Sequence, residues 1–154
     1  MILGILVLAG HLTALLRELV PALPQMPGQA ESNTSLISNV SFGFCGRPPH
    51  SDCVIDGDTF YMRSQSIRIA DIDAPETHPP RCEYEESLGA LATRRLHELL
   101  NAGPFALESE PGRDEDRYGR KLRIVVRGGR SLGEILVSEG LAREWTGRRL
   151  SWCG

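Results

Sequence analysis

Between Cys53 and Ile72 the chain is written in short runs of β-forming residues around one acidic turn, and this order limits the folds open to it. Cys53-Val54-Ile55 is apolar and ends at Asp56-Gly57-Asp58, a tight-turn signal. Thr59 to Arg63 is rich in β-formers, Ser64-Gln65 can turn, and Ser66 to Ile72 alternates, with Ile67 and Ile69 on one face and Arg68 on the other. Glu83 to Leu100 then reads as a single long helix, with Tyr84, Leu88, Leu91, Leu96 and Leu99 at helical spacing. Glu83, Glu85 and Glu86 sit in its first turn, where the helix dipole favours anions, and Asn101-Ala102-Gly103-Pro104 stops it. Two further strands are expected over Phe105–Glu110 and Lys121–Arg127, and Ser131-Leu132-Gly133-Glu134 has the capping-box pattern of a short helix that Gly140 ends. Strands interrupted by one helix do not make a doubly wound parallel sheet. They predict a β-rich α+β domain: a five-stranded OB-fold barrel with a helix between strands three and four and a short C-terminal helix.

The 154 residues are enough for one domain with its own core. At 24% charged and 41% hydrophobic, the composition is that of a globular chain and excludes general disorder. Met1 to Leu16 is almost wholly apolar, too short for a typical membrane span and of the length of a signal-peptide core, although no basic residue precedes it. Residues 1–23 are therefore expected to be a signal peptide or membrane anchor. Residues 24–52, rich in Pro, Gly, Ser and Asn, are expected to be a linker, and 53–154 the folded domain. This organisation implies export to the periplasm or medium, or anchoring with the domain outside the cytoplasm.

Charge is uneven. From Arg113 onward ten Lys/Arg stand against six Asp/Glu, a balance of +4, while the first 112 residues carry seven against fourteen, a balance of −7. A basic C-terminal region suits phosphates, and acidic residues elsewhere suit a cation. The four cysteines, Cys45, Cys53, Cys82 and Cys153, form no C-x-x-C pair, and no His lies at zinc-finger spacing, which argues against structural zinc. An even count fits two disulfides in an exported protein, with three pairings open.

Three segments concentrate the chemistry: Val54-Ile55-Asp56-Gly57-Asp58-Thr59, Arg68-Ile69-Ala70-Asp71-Ile72-Asp73-Ala74-Pro75-Glu76-Thr77, and Asp114-Glu115-Asp116-Arg117-Tyr118-Gly119-Arg120. Each alone reads as a turn or a solvated loop. In this order, and followed by Ser131 to Ala142 (S-L-G-E-I-L-V-S-E-G-L-A), they resemble the staphylococcal nuclease family from about Cys53 to Trp145. The resemblance implies a calcium-dependent phosphodiesterase that cleaves DNA and RNA with little base specificity and leaves 3′-phosphates. It places Asp58, Asp73 and the Ala74 carbonyl on Ca²⁺, an all-oxygen set suited to a hard cation. It makes Glu76 the carboxylate that prepares the attacking water, and Arg68 and Arg120 the guanidinium donors to phosphate oxygens. Asp56 would support the metal loop. Asp116 and Tyr118 fall near the nucleotide, and Trp145 is the aromatic candidate in place of family tyrosines that this chain lacks.

Position 74 is Ala where the best-known member has Thr, and the family's third helix is expected to be missing. Cys153 lies where that helix would begin, so a Cys82–Cys153 bridge is expected to pin the tail, with Cys45–Cys53 as the second bond. The enzyme is expected to act as a monomer. A catalytically inactive OB module, binding nucleic acid or a protein partner, is the competing reading. It would have lost the carboxylates or arginines, and none is lost.

Overall fold

A computed structural model of the protein describes residues 36–154. The apolar segment 1–23 and residues 24–35 of the expected linker lie outside the described residues. The hairpin forms as the alternation predicts. Strand β2 (Cys53–Asp56) pairs antiparallel with β3 (Thr59–Met62), which pairs antiparallel with β4 (Gln65–Ile69). The β3–β4 turn lies one residue earlier than expected, at Arg63-Ser64. Both residues take positive φ (49° and 65°), as a two-residue hairpin loop matched to strand twist requires. A register irregularity between Val54 and Asp56 bends β2 just before the acidic turn.

Strand β4 runs parallel to β7 (Lys121–Arg127), and β7 pairs antiparallel with β6 (Ala106–Ser109) and with the short β8 (Arg130–Ser131). Helix α1 (Glu83–Asn101) falls between the third and fourth long strands, and α2 (Leu132–Ser138) follows β8. Ser131 caps α2 by accepting hydrogen bonds from the N–H groups of Gly133 (2.9 Å) and Glu134 (3.3 Å). A second, two-stranded sheet joins β5 (Ile72–Asp73) to β9 (Arg143–Glu144). The domain is α+β, with Phe60, Ile67, Ile69, Leu96, Leu100, Phe105, Leu132 and Leu136 in one core.

Two expectations need correction. Among the described residues β6 does not pair with β2, so the ladder does not close into a barrel. The gap is crossed by residues that read as linker. Ile37 exchanges backbone hydrogen bonds with Phe105 (2.6 and 3.1 Å), and β1 (Gly43–Phe44) runs parallel to β2. Between these ends Phe42 is buried against Phe60 and Phe105, at 5.7 and 6.0 Å between ring centroids, and its backbone is held in both directions by the Asn101 side chain. The packed domain therefore begins upstream of Cys53. One aromatic residue in a polar stretch carries no periodicity, and so gave no signal of burial.

The second correction concerns α1. Its length is as expected, but its buried face is Glu85, Gly89, Ala92, Leu96, Leu99 and Leu100, while Tyr84 and Leu91 are exposed. The helix approaches the hairpin too closely for large side chains. A methyl at Gly57 would stand 2.5 Å from the Ala92 Cβ and 2.9 Å from the Ala74 Cβ. Cys45 pairs with Cys53 and Cys82 with Cys153, the expected pairing, with Cα atoms 5.0 and 6.0 Å apart.

Phe42→Ala is expected to cost about 3–5 kcal/mol of stability, as aromatic truncation in a packed core does. Urea unfolding of the variant beside wild type checks this. A loss under about 1 kcal/mol would show that the upstream segment is not part of the core.

Candidate active site

The acidic turn between β2 and β3 delivers Asp58 into a buried position, only 3% exposed. Its Oδ2 accepts the Ala74 N–H at 3.0 Å, and its Oδ1 accepts the Thr59 hydroxyl at 2.9 Å and faces the Arg68 guanidinium at 2.5 Å. One carboxylate thus ties the hairpin turn to the loop after β5. Gly57 is required here because α1 leaves no room for a side chain.

Asp73, at the end of β5, is equally buried. Its Oδ1 lies 3.1 Å from Arg149 Nε and 3.6 Å from Arg68 Nη2, yet no partner meets it with hydrogen-bond geometry. Glu76 follows on the loop and pairs with Arg149 Nη1. Helix α1 presses on this loop. A methyl at Gly89 would lie 2.8 Å from Thr77 Cγ2 and 2.9 Å from the Pro75 carbonyl oxygen. Further along, the buried Glu85 turns back to accept the Arg81 N–H at 2.6 Å, fixing the loop's exit.

The third segment is a turn built on Asp116. Its Oδ1 accepts the N–H groups of Tyr118 (2.9 Å) and Arg120 (3.0 Å), and its Oδ2 accepts Arg120 Nε at 2.7 Å. Burial raises the Asp116 carboxyl, but the Arg120 hydrogen bonds outweigh it and hold the group below its ordinary value. Arg120 also reaches the Thr59 hydroxyl at 3.4 Å, so the order Asp116, Arg120, Thr59, Asp58 is one chain of polar contacts. Asp116 thereby orients Arg120 with both oxygens. The exposed Tyr118 lies against Arg117 and Arg120, 4.7 and 5.4 Å from their guanidinium carbons to its ring centre.

These elements face one open hollow of about 630 Å³, lined by Arg68, Glu76, Asp116, Tyr118, Arg120 and Trp145 together with Arg81, Arg113, Arg117 and Arg149. The second and third sequence segments and Trp145 thus meet at one hollow, and the first segment lies behind it, joined through Asp58 to Arg68 and through Thr59 to Arg120. Trp145 stands beside Arg68, 5.9 Å from guanidinium carbon to ring centre, and its backbone N–H is held by the Asp71 carbonyl at 2.8 Å. The sequence reading missed the four additional arginines. Arg149 carried one indirect signal: it lies four residues before the cysteine expected to pair with Cys82, which places the tail beside the Glu76 loop.

The electrostatics fit a divalent cation. Asp56, Asp58, Asp73 and Glu76 oppose Arg68 and Arg149, a formal balance of −2 when all are ionised. Burial, reinforced by the neighbouring Asp58 charge, pushes Asp56 up to about 7. Burial also raises Asp73, with the Arg149 charge opposing. Oxygen donors, excess negative charge and a buried carboxylate oxygen without a hydrogen bond suit a hard cation such as Ca²⁺. Elsewhere Cys45, His50 and Cys53 bring ligand atoms within 4.8 Å of one another, but both sulfurs are committed to the disulfide.

An α+β domain with carboxylates, a loop glutamate and paired arginines around one hollow defines a class, and the comparison with known proteins agrees. Residues 66–150 match the staphylococcal nuclease homologue family, and the chain belongs to it. It is 38% identical over 96 residues to endonuclease YncB of Bacillus subtilis, covering 60% of this chain and 45% of that protein. The same identity and length hold for the SPbeta prophage-derived endonuclease YokF of Bacillus subtilis, covering 32% of that protein. The chain thus spans less than half the length of these curated relatives.

Asp56 gives a pH test of the crowded carboxylates. Its folded value lies above the unfolded one of 3.8, so its contribution to stability is full below pH 4 and is lost as pH rises through about 7. In chelator, Asp56→Asn is expected to melt higher than wild type at pH 8 and to lose that advantage at pH 4. Thermal melts at the two values check it, and equal melting at pH 8 would contradict it.

Proposed function

We propose that the domain is a calcium-dependent phosphodiesterase that hydrolyses DNA and RNA and leaves 3′-phosphates. The observation that carries this reading is the convergence of Glu76, Arg68 and Arg120 on one hollow beside the buried carboxylates Asp58 and Asp73. Asp58, Asp73 and the Ala74 carbonyl would hold Ca²⁺, which when bound supplies positive charge against the phosphate. Glu76 takes the proton of the attacking water. Arg68 and Arg120 donate to the phosphoryl oxygens as negative charge builds there, and each guanidinium fork is already oriented by a carboxylate, Asp58 or Asp116. Tyr118 and Trp145 offer flat faces to bases without reading their edges. Single-stranded or frayed strands with little sequence preference fit such contacts.

The proposed setting is outside the cytoplasm, because two disulfides among the described residues suit an oxidising compartment. The apolar N-terminal run is the proposed export signal or anchor. Among the described residues no helix is long and apolar enough to cross a membrane. A catalytically inactive module that only binds nucleic acid is favoured by one observation, the engagement of Glu76 by Arg149.

Digestion of single-stranded DNA and RNA by the full chain, in Ca²⁺ or EGTA, separates the two. Cleavage is expected in Ca²⁺ only, with 3′-phosphate ends. Glu76→Gln, which removes the proton acceptor, and Arg120→Gln, which removes a transition-state donor, are each expected to lower turnover about 10²–10³-fold with unchanged circular dichroism. Binding without cleavage by folded, oxidised protein would select the inactive module. Gly89→Ala leaves every polar group of the site intact but moves the Glu76 loop. It is expected to lower turnover by about 10²-fold while the protein stays folded, and full activity in this variant would show that the α1 contact does not set the loop.

A further inference from the structure

Among the described residues, Arg149 is the one cation that touches both Asp73 and Glu76. It belongs to neither helix nor strand but to the tail after β9, which the structure anchors at several points. Cys153 is bonded to Cys82, next to the first residue of α1. Trp152 is buried, with the Arg143 guanidinium carbon 3.5 Å from its ring centre. Arg143 Nη1 also donates to the Ser151 carbonyl at 3.0 Å. Three residues separate Arg149 from Cys153, so the guanidinium can withdraw only a short way from the site.

We infer that Arg149 is the site's internal counter-cation: a tail-borne guanidinium that stands between Asp73 and Glu76 when no divalent cation is bound, and that competes with the cation for their charge. The inference rests on the proposed cation site at Asp58, Asp73 and Ala74. The chemistry is mutual exclusion of like charge. While Arg149 neutralises Asp73, that carboxylate is a weaker ligand, and while it pairs with Glu76, that oxygen cannot take a proton. Apparent cation affinity is then the intrinsic affinity scaled by the fraction of molecules in which Arg149 has moved aside. The tether keeps the arginine close enough to return. Arg148, its exposed neighbour, lines a hollow that Asp73 also borders but forms no ion pair with Asp73 or Glu76, and so supplies a control of equal charge without the contact.

The test is calorimetric titration of Ca²⁺ into the full oxidised chain, without nucleic acid. Arg149→Gln is expected to bind Ca²⁺ about three- to tenfold more tightly than wild type, while Arg148→Gln changes affinity by less than about twofold. Unchanged or weaker binding in Arg149→Gln, or the same gain in Arg148→Gln, would overturn the inference and leave the cation site standing. Absence of Ca²⁺ uptake by wild type and every variant would remove the cation site itself, and the inference with it. Should Arg149→Gln lose its fold by circular dichroism, the double variant Cys82→Ser/Cys153→Ser takes its place. It keeps the arginine and frees the tail, so tighter Ca²⁺ binding supports competition and equal or weaker binding refutes it.

Discussion

The close contact of helix α1 with the acidic hairpin is the constraint on which the site depends. Gly57, Ala74 and Ala92 meet where no larger side chain fits, and Gly89 lies against the Pro75 and Glu76 carbonyls. This seats the hairpin turn, the Asp73–Thr77 loop and the helix as one unit. Asp58 can then hold the Ala74 N–H, and Glu76 emerges at the edge of the hollow with its backbone braced from behind. Interiors packed at this density transmit small displacements instead of absorbing them. A distortion at Gly89 therefore reaches the Glu76 carboxylate through the loop backbone it presses on.

Around this unit the chain manages an excess of buried negative charge. Arg68 neutralises Asp58 from within the sheet, Asp116 holds Arg120 from the far loop, and the tail brings Arg149 to Asp73 and Glu76. Opposite charges placed this way lower the cost of keeping carboxylates out of water, but they do not remove it, as the raised Asp56 and Asp73 show. The Cys82–Cys153 disulfide ties the segment after β9 to the start of α1. That bridge closes a loop of 71 residues, worth about 4 kcal/mol in the chain-entropy account.

Much of this was legible in the sequence, for identifiable reasons. The hairpin was visible because period-two alternation is a local signal, and the long helix because its pattern lasts for five turns. The buried face of α1 was not visible. Spacing rules weigh large apolar residues, and the contact uses Gly89 and Ala92 because they are small. Phe42 escaped notice because its partners, Phe60 and Phe105, are distant in sequence. The three catalytic-type motifs were readable as a set; the second and third line one hollow, and the first supports it through Asp58 and Thr59. Asp116 turned inward to Arg120, a role that depends on geometry across a turn. Arg149 belongs to a tail with no regular structure, and only the disulfide brings it to the site.

The most direct measurement is a crystal structure of the oxidised chain with Ca²⁺ and a short single-stranded phosphorothioate oligonucleotide. The expected result is a cation held by the Asp58 and Asp73 carboxylates and the Ala74 carbonyl, a backbone phosphate between Arg68 and Arg120, and Glu76 freed from Arg149. A phosphate bound elsewhere, with no cation at the carboxylates and the ion pairs of Arg68 and Arg149 unchanged, would contradict the assignment of this hollow as the active site.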